Sequence, residues 1–207
     1  MDALTHVLAP ALITEPLSYD KFPVVAYAQW RERLTVLIAA LLPDADGIFG
    51  LINLELYNRY HRVATHSVFG FLLIAFLATA IAHFWPARIL PPSLRLTNEE
   101  EKWINPRFRR LLGFALLAVT LHFIGDAITA WGTLRFLWPI YPDMDFQWSL
   151  VNSLEYPLTV LTGTAWAVQH YLIFRRKKTA AWLIVPAWLL LFISWVIFRQ
   201  YHGLTYT

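Results

Sequence analysis

The chain has 207 residues, 57% of them hydrophobic and only 15% charged, with a formal net charge of +3 and an isoelectric point near 9.3. Soluble domains carry about 25% charged residues, so the composition excludes an ordinary soluble domain and specifies a polytopic membrane protein. The basic excess then belongs to loop topology rather than to nucleic acid, and the absence of cysteine excludes disulfides and thiolate metal sites.

The N-terminus, Met1-Asp2-Ala3-Leu4-Thr5-His6, has neither a basic n-region nor a small-residue cleavage site, which argues against a removable signal peptide. Residues 3–17 form a short apolar segment interrupted by Pro10. Residues 34–42 are shorter still, although a helix over 30–43 would place its arginines at the interface. These two segments read as short spans, re-entrant pieces or a packed pair. Four clearer runs follow, at 67–85, 111–131, 154–174 and 179–198. Each is close to the ~20 residues that cross a bilayer core. Ten Trp and nine Tyr fit aromatic belts at the two interfaces. The expectation is an all-α, polytopic membrane helical bundle of about six helices, a single membrane domain over 1–207.

Lysine and arginine orient such a bundle, because cytoplasmic loops carry their excess. Lys21, Arg31 and Arg33 fall in the first connection, six more between 88 and 110, and Arg175, Arg176, Lys177 and Lys178 in the fifth. These alternate loops hold 13 of the 17 basic residues, leaving Arg59, Arg62, Arg135 and Arg199 opposite. The predicted location is the inner (plasma) membrane, with both termini outside.

The sharpest chemical signal lies in Leu121-His122-Phe123-Ile124-Gly125-Asp126. Positions i and i+4 share one helix face about 6 Å apart, so two polar groups point the same way from an apolar span. An ionisable residue at membrane depth costs about 3 kcal/mol on insertion scales. With the topology above, Asp44, Asp46, His61, His66, His6 and Glu155 reach the same outer end as His122 and Asp126. His83, His170 and His202 do not.

Each residue alone has a plainer explanation. Asp44 after Pro43 suits a cap or turn. His61 and His66 suit interfacial positions, with Thr65 or Ser67 as N-cap, and Glu155 suits a first helical turn. His122 and Asp126 suit a mutual hydrogen bond. The joint placement on one face outweighs these readings and points to a metal site. Four neutral imidazoles and four carboxylates carry roughly −4, which two divalent cations would neutralise. Mixed nitrogen and oxygen donors favour Zn²⁺, with Mn²⁺ or Fe²⁺ as alternatives, over Ca²⁺ or Mg²⁺; the expectation is one to three ions. Such centres activate water and clamp phosphoryl oxygens. No nucleophile elbow, Walker loop or Rossmann fingerprint is present in the sequence.

The stretches Thr5-His6, Leu41-Leu42-Pro43-Asp44-Ala45-Asp46, His61-Arg62-x-x-Thr65-His66-Ser67 and His122-x-x-x-Asp126-x-x-Thr129, with Leu137-Trp138-Pro139 and Asn152-x-Leu154-Glu155, resemble the YdjM-type, LexA-regulated family of membrane-bound, predicted metal-dependent hydrolases. The resemblance implies hydrolase activity without naming a substrate. One departure is Gly47, where members often carry another His after the second Asp. The ligand order is also loosely similar to that of soluble zinc-dependent phospholipases C.

The expected activity is therefore hydrolysis of a phosphoester of a lipid or lipid-linked substrate at the extracytoplasmic face. His6, Asp44, Asp46, His61, His66, His122, Asp126 and Glu155 are the candidate ligands. Asp46 doubles as bridging ligand or general base, and Arg62 is a phosphate-holding residue; Arg135 is a fainter candidate. Membrane lipids are the expected partners. The rival is a non-enzymatic subunit, or an ion or proton carrier, using His122 and Asp126 as a relay. The nearly apolar inner halves of the spans speak against that rival.

Overall fold

The computed structural model describes residues 3–18, 30–85, 108–129, 134–142, 144, 148, 150 and 156–202. Six helices of twelve or more residues form it: α1 Ala3–Ser18, α2 Trp30–Leu41, α5 Val68–Phe84, α6 Phe108–Ile128, α7 Tyr156–Phe174 and α8 Lys178–Tyr201. Between α2 and α5 lie a 3₁₀ segment, Leu42–Ile48, and two short helices, α3 Phe49–Ile52 and α4 Leu54–Tyr60. No strand forms among the described residues. The all-α membrane bundle expected from composition is the fold observed.

Trp30–Ile52, Phe108–Ile128 and Lys178–Tyr201 are long and apolar enough to cross a membrane, and Val68–Phe84 is a shorter apolar helix. The N-terminal pair differs in detail from the sequence reading. α1 continues helical through both Pro10 and Pro16. α2 begins at Trp30, where the 30–43 alternative placed it, so Arg31 and Arg33, counted with the first connection, lie on a helix. Arg31 is nevertheless buried, because its Nη1 donates to the backbone carbonyls of Ala82, at 2.9 Å, and His83 at the end of α5.

The helices pack as two groups that share α1. α2, α5 and α6 enclose one core, built from Val36, Ala39, Phe71, Ile74, Ala75, Ala78, Phe114, Ala115, Ala118 and Val119. Alanines at the crossings let the backbones approach closely, which is how helices gain packing when lipid supplies no hydrophobic drive. A second core joins Ala9 and Leu12 of α1 to Leu158 of α7 and Trp188 and Phe192 of α8. Leu72, Leu73, Phe76, Leu77 and Ile81 of α5 face outward, as lipid-contacting residues do. Threonine hydroxyls inside the helices are satisfied locally: Thr35 donates to the Arg31 carbonyl and Thr79 to that of Ala75.

This packing separates two polar ends. Arg31, the Glu32–Arg110 pair at 2.5 Å, and Glu15 with Arg33 and His170 tie the helices together at one end. On α6 the buried face runs from Leu111 through Phe114, Ala115, Ala118 and Val119 to His122 and Asp126. That spacing of three and four residues carries both polar residues to the opposite end of the bundle.

Candidate metal centre

Asp44, His66, His122 and Asp126 each offer one ligand atom, and these four atoms all lie within 4.8 Å of one another. His66 Nε2 stands 3.0 Å from Asp126 Oδ2, 3.2 Å from His122 Nε2 and 3.4 Å from Asp44 Oδ1. His122 Nε2 stands 3.3 Å from Asp126 Oδ2 and 3.7 Å from Asp44 Oδ1. Nitrogen and oxygen ligands 2.0–2.1 Å from a tetrahedral zinc are separated by about 3.3 Å. The observed edges bracket that value, so the donor set fits one four-coordinate ion. His66, His122 and Asp126 are fully buried, whereas the Asp44 side chain is 30% exposed and marks the open side.

The surrounding chain sets the tautomers. His122 Nδ1 lies 2.8 Å from the carbonyl oxygen of Ala40, which only accepts, so Nδ1 carries the proton and Nε2 presents a lone pair. Ala40 is in the last turn of α2, where carbonyls run out of α-helical partners. His66 Nδ1 lies 3.0 Å from Thr65 Oγ1, which donates to Asp46 Oδ2 at 2.5 Å and can therefore accept from the ring. Both Nε2 atoms thus turn toward two carboxylates. Burial opposes charge on His66, but Asp126 and Asp44 outweigh it and hold its pKa above the ordinary value.

Asp44 and Asp46 part company because of the 3₁₀ segment. With three residues per turn, side chains two apart point in directions about 120° apart. Asp44 therefore joins the four-residue cluster. Asp46 Oδ1 meets His61 Nδ1 at 2.6 Å, and its Oδ2 accepts from Thr65 and from the Arg62 backbone N–H at 3.1 Å. His61 stacks on Tyr57, ring centroids 4.5 Å apart. His6 Nε2 lies 3.1 Å from Asp126 Oδ1, and its ring stacks on His122 at 4.0 Å. Arg62, expected to hold phosphate, donates from Nη2 to Asp126 Oδ1 at 2.7 Å.

Of the eight candidate ligands, four are gathered around one point, and His6, Asp46 and His61 lean on them or on each other. Glu155 lies outside the described residues. The Arg135 side chain is exposed. At Gly47 an added Cβ would meet nothing within 4 Å.

Sequence reading missed Gly70. A Cβ there would sit 2.1 Å from the backbone oxygen of Ala64, because the His61–Ser67 loop packs directly on the first turn of α5. Ser67 caps that turn, accepting from Gly70 N at 3.1 Å and donating to Ala64 O at 2.8 Å. The spacing Ser-x-x-Gly was the available signal. The Val68 N–H also donates to Phe136 O at 2.8 Å, tying the 134–140 segment over the loop.

Comparison with curated proteins gives no match, and comparison with solved structures gives none either. A family model described as YdjM inner membrane protein matches residues 1–201. With that match running through all six long helices and every residue of the His/Asp cluster, the chain belongs to the YdjM inner membrane protein family.

Proposed function

We propose that this protein is a membrane-bound metal-dependent hydrolase that cleaves a phosphoester of a lipid or lipid-linked substrate at the extracytoplasmic face of the inner membrane. The observation that carries the reading is the tetrahedron-sized spacing of Asp44, His66, His122 and Asp126 with both histidine tautomers fixed. Zinc suits this donor set best, and Mn²⁺ and Fe²⁺ accept the same ligands. When bound, the ion would have to expand to five-coordinate to take a phosphoryl oxygen or a water, polarising the one or lowering the pKa of the other.

The rest of the chemistry falls to the chain's own side chains. Asp46 anchors His61 through Nδ1, which leaves His61 Nε2 to take or give a proton; the ring is 13% exposed, at the rim rather than in the core. Asp46 thus acts through His61 rather than directly on substrate. Arg62 and His6 hold Asp126 Oδ1 so that Oδ2 faces the two Nε2 atoms.

Lipid substrates are supported by the segment between Asp46 and His61. Ile48, Leu51, Ile52 and Leu54 are all exposed there, Leu51 by 87%, in the stretch that follows Asp46 in the chain. Apolar chains at headgroup depth hold an acyl tail while the polar end meets the ligands. Sidedness rests on the 13-to-4 distribution of basic residues. Against the relay alternative, the buried face of α6 between Leu111 and Val119 is apolar.

The test is hydrolysis by zinc-loaded protein in detergent, using bis(p-nitrophenyl) phosphate and a short-chain phospholipid. Chelator-sensitive release of nitrophenol or headgroup is the expected result. Metal-replete protein inert on both, and on a lipid-linked pyrophosphate, would leave the hydrolase reading without support.

A further inference from the structure

We infer that the centre takes a single divalent ion, because the Arg62 guanidinium occupies the place a second ion would need. This rests on the reading of the cluster as a metal centre.

The two oxygens of Asp126 are divided. Oδ2 faces His66 Nε2 at 3.0 Å and His122 Nε2 at 3.3 Å. Oδ1 accepts from Arg62 Nη2 at 2.7 Å and lies 3.1 Å from His6 Nε2. A dinuclear centre about 3.5–4 Å across uses a bridging carboxylate of this kind, one ion on each oxygen. Here the second oxygen meets a group that is always charged and is only 7% exposed.

Asp46 offers no alternative seat, since its oxygens hold His61 on one side and Thr65 and the Arg62 N–H on the other. Charge gives the same answer. Among the described residues, Asp44, Asp46 and Asp126 carry three negative charges, and Arg62 returns one positive. One divalent ion neutralises the remainder.

The backbone is shaped for this contact. Arg62 has φ 63°, in the left-handed region that non-glycine residues rarely adopt. Its N–H is held by Asp46 and its guanidinium by Asp126, so the bend turns the side chain inward.

The experiment counts metal in detergent-purified wild type, Arg62→Gly and Arg62→Lys after equilibration with excess Zn²⁺ and removal of loose ions. Mn²⁺-loaded samples are read by EPR. Glycine suits the left-handed backbone, so Arg62→Gly removes the cation with least disturbance. Wild type and Arg62→Lys should hold one ion per chain with an isolated-ion spectrum. Arg62→Gly should take up a second. Two ions or a spin-coupled pair in wild type would overturn the inference while leaving the metal centre intact. No ion in wild type would overturn the metal reading itself. A count of one in Arg62→Gly would show that Arg62 does not stand in for an ion. Should that variant fail to accumulate, the wild-type count and spectrum decide.

Discussion

His122 donates its Nδ1 proton to the carbonyl oxygen of Ala40, 2.8 Å away at the end of a different helix. One hydrogen bond thereby couples the termination of α2 to the ligand orientation on α6. Asp44 follows Ala40 by one helical turn, so the bond that fixes the His122 tautomer also fixes the segment that delivers a carboxylate to it.

Asp126→Asn nearly preserves shape while removing the charge that faces both Nε2 atoms. Loss of a supporting partner alone weakens metal binding by about 10–100-fold, so loss of this carboxylate should exceed that. Elemental analysis should find the variant depleted of metal, with hydrolysis gone and insertion intact. His83→Ala, at the far end of α5, should keep both. Equal metal in Asp126→Asn and wild type would relegate Asp126 to a structural role.

His61→Asn should separate chemistry from metal binding, since His61 bonds to Asp46 and touches the four-residue cluster only through the edge of its ring against His66, centroids 5.6 Å apart. Metal content should stay at the wild-type level while turnover falls by about 10²–10⁴-fold, the usual loss on removing a proton-transfer group. Asp46→Asn should follow the same pattern more weakly, with its effect on kcat rather than on metal. A His61 variant that arrives metal-free would make His61 a ligand.

Gly70→Ala forces a methyl into the backbone oxygen of Ala64, which has no side-chain freedom with which to give way. The expected cost is about 1–3 kcal/mol, with reduced metal retention as the His66 loop is pushed off α5. Gly113→Ala on α6 is the control: an added Cβ meets nothing within 4 Å. There the helix should be stabilised by about 0.5–1 kcal/mol. Thermal unfolding in detergent compares the two, and equal behaviour would contradict the close packing of the loop.

Topology is read with reporters. A fusion after Lys178 should report cytoplasmic, and one at Thr207 extracytoplasmic. The inverse pattern would move the cluster to the inner leaflet and redirect the substrate search there.

The sequence by itself determined the class and the long helices, and it held the four residues that the fold gathers among its candidates. Hydropathy is local, so runs such as 67–85 and 111–131 reveal apolar helices without knowledge of their neighbours. The i, i+4 spacing of His122 and Asp126 guaranteed a shared face on any helix. Only the tertiary structure decided the partners. His66 meets His122 across 56 residues, Arg62 meets Asp126 across 64, and His122 meets Ala40 across 82. Such contacts depend on how α1, α2, α5 and α6 cross, and helical periodicity carries no information about that. The same limit explains the ligands. Sequence counts treated Asp44 and Asp46 alike, but a 3₁₀ turn sends them to different partners. The Asp126 partner of Arg62 was hidden in the same way, because its direction comes from a left-handed backbone angle that only the packed loop imposes.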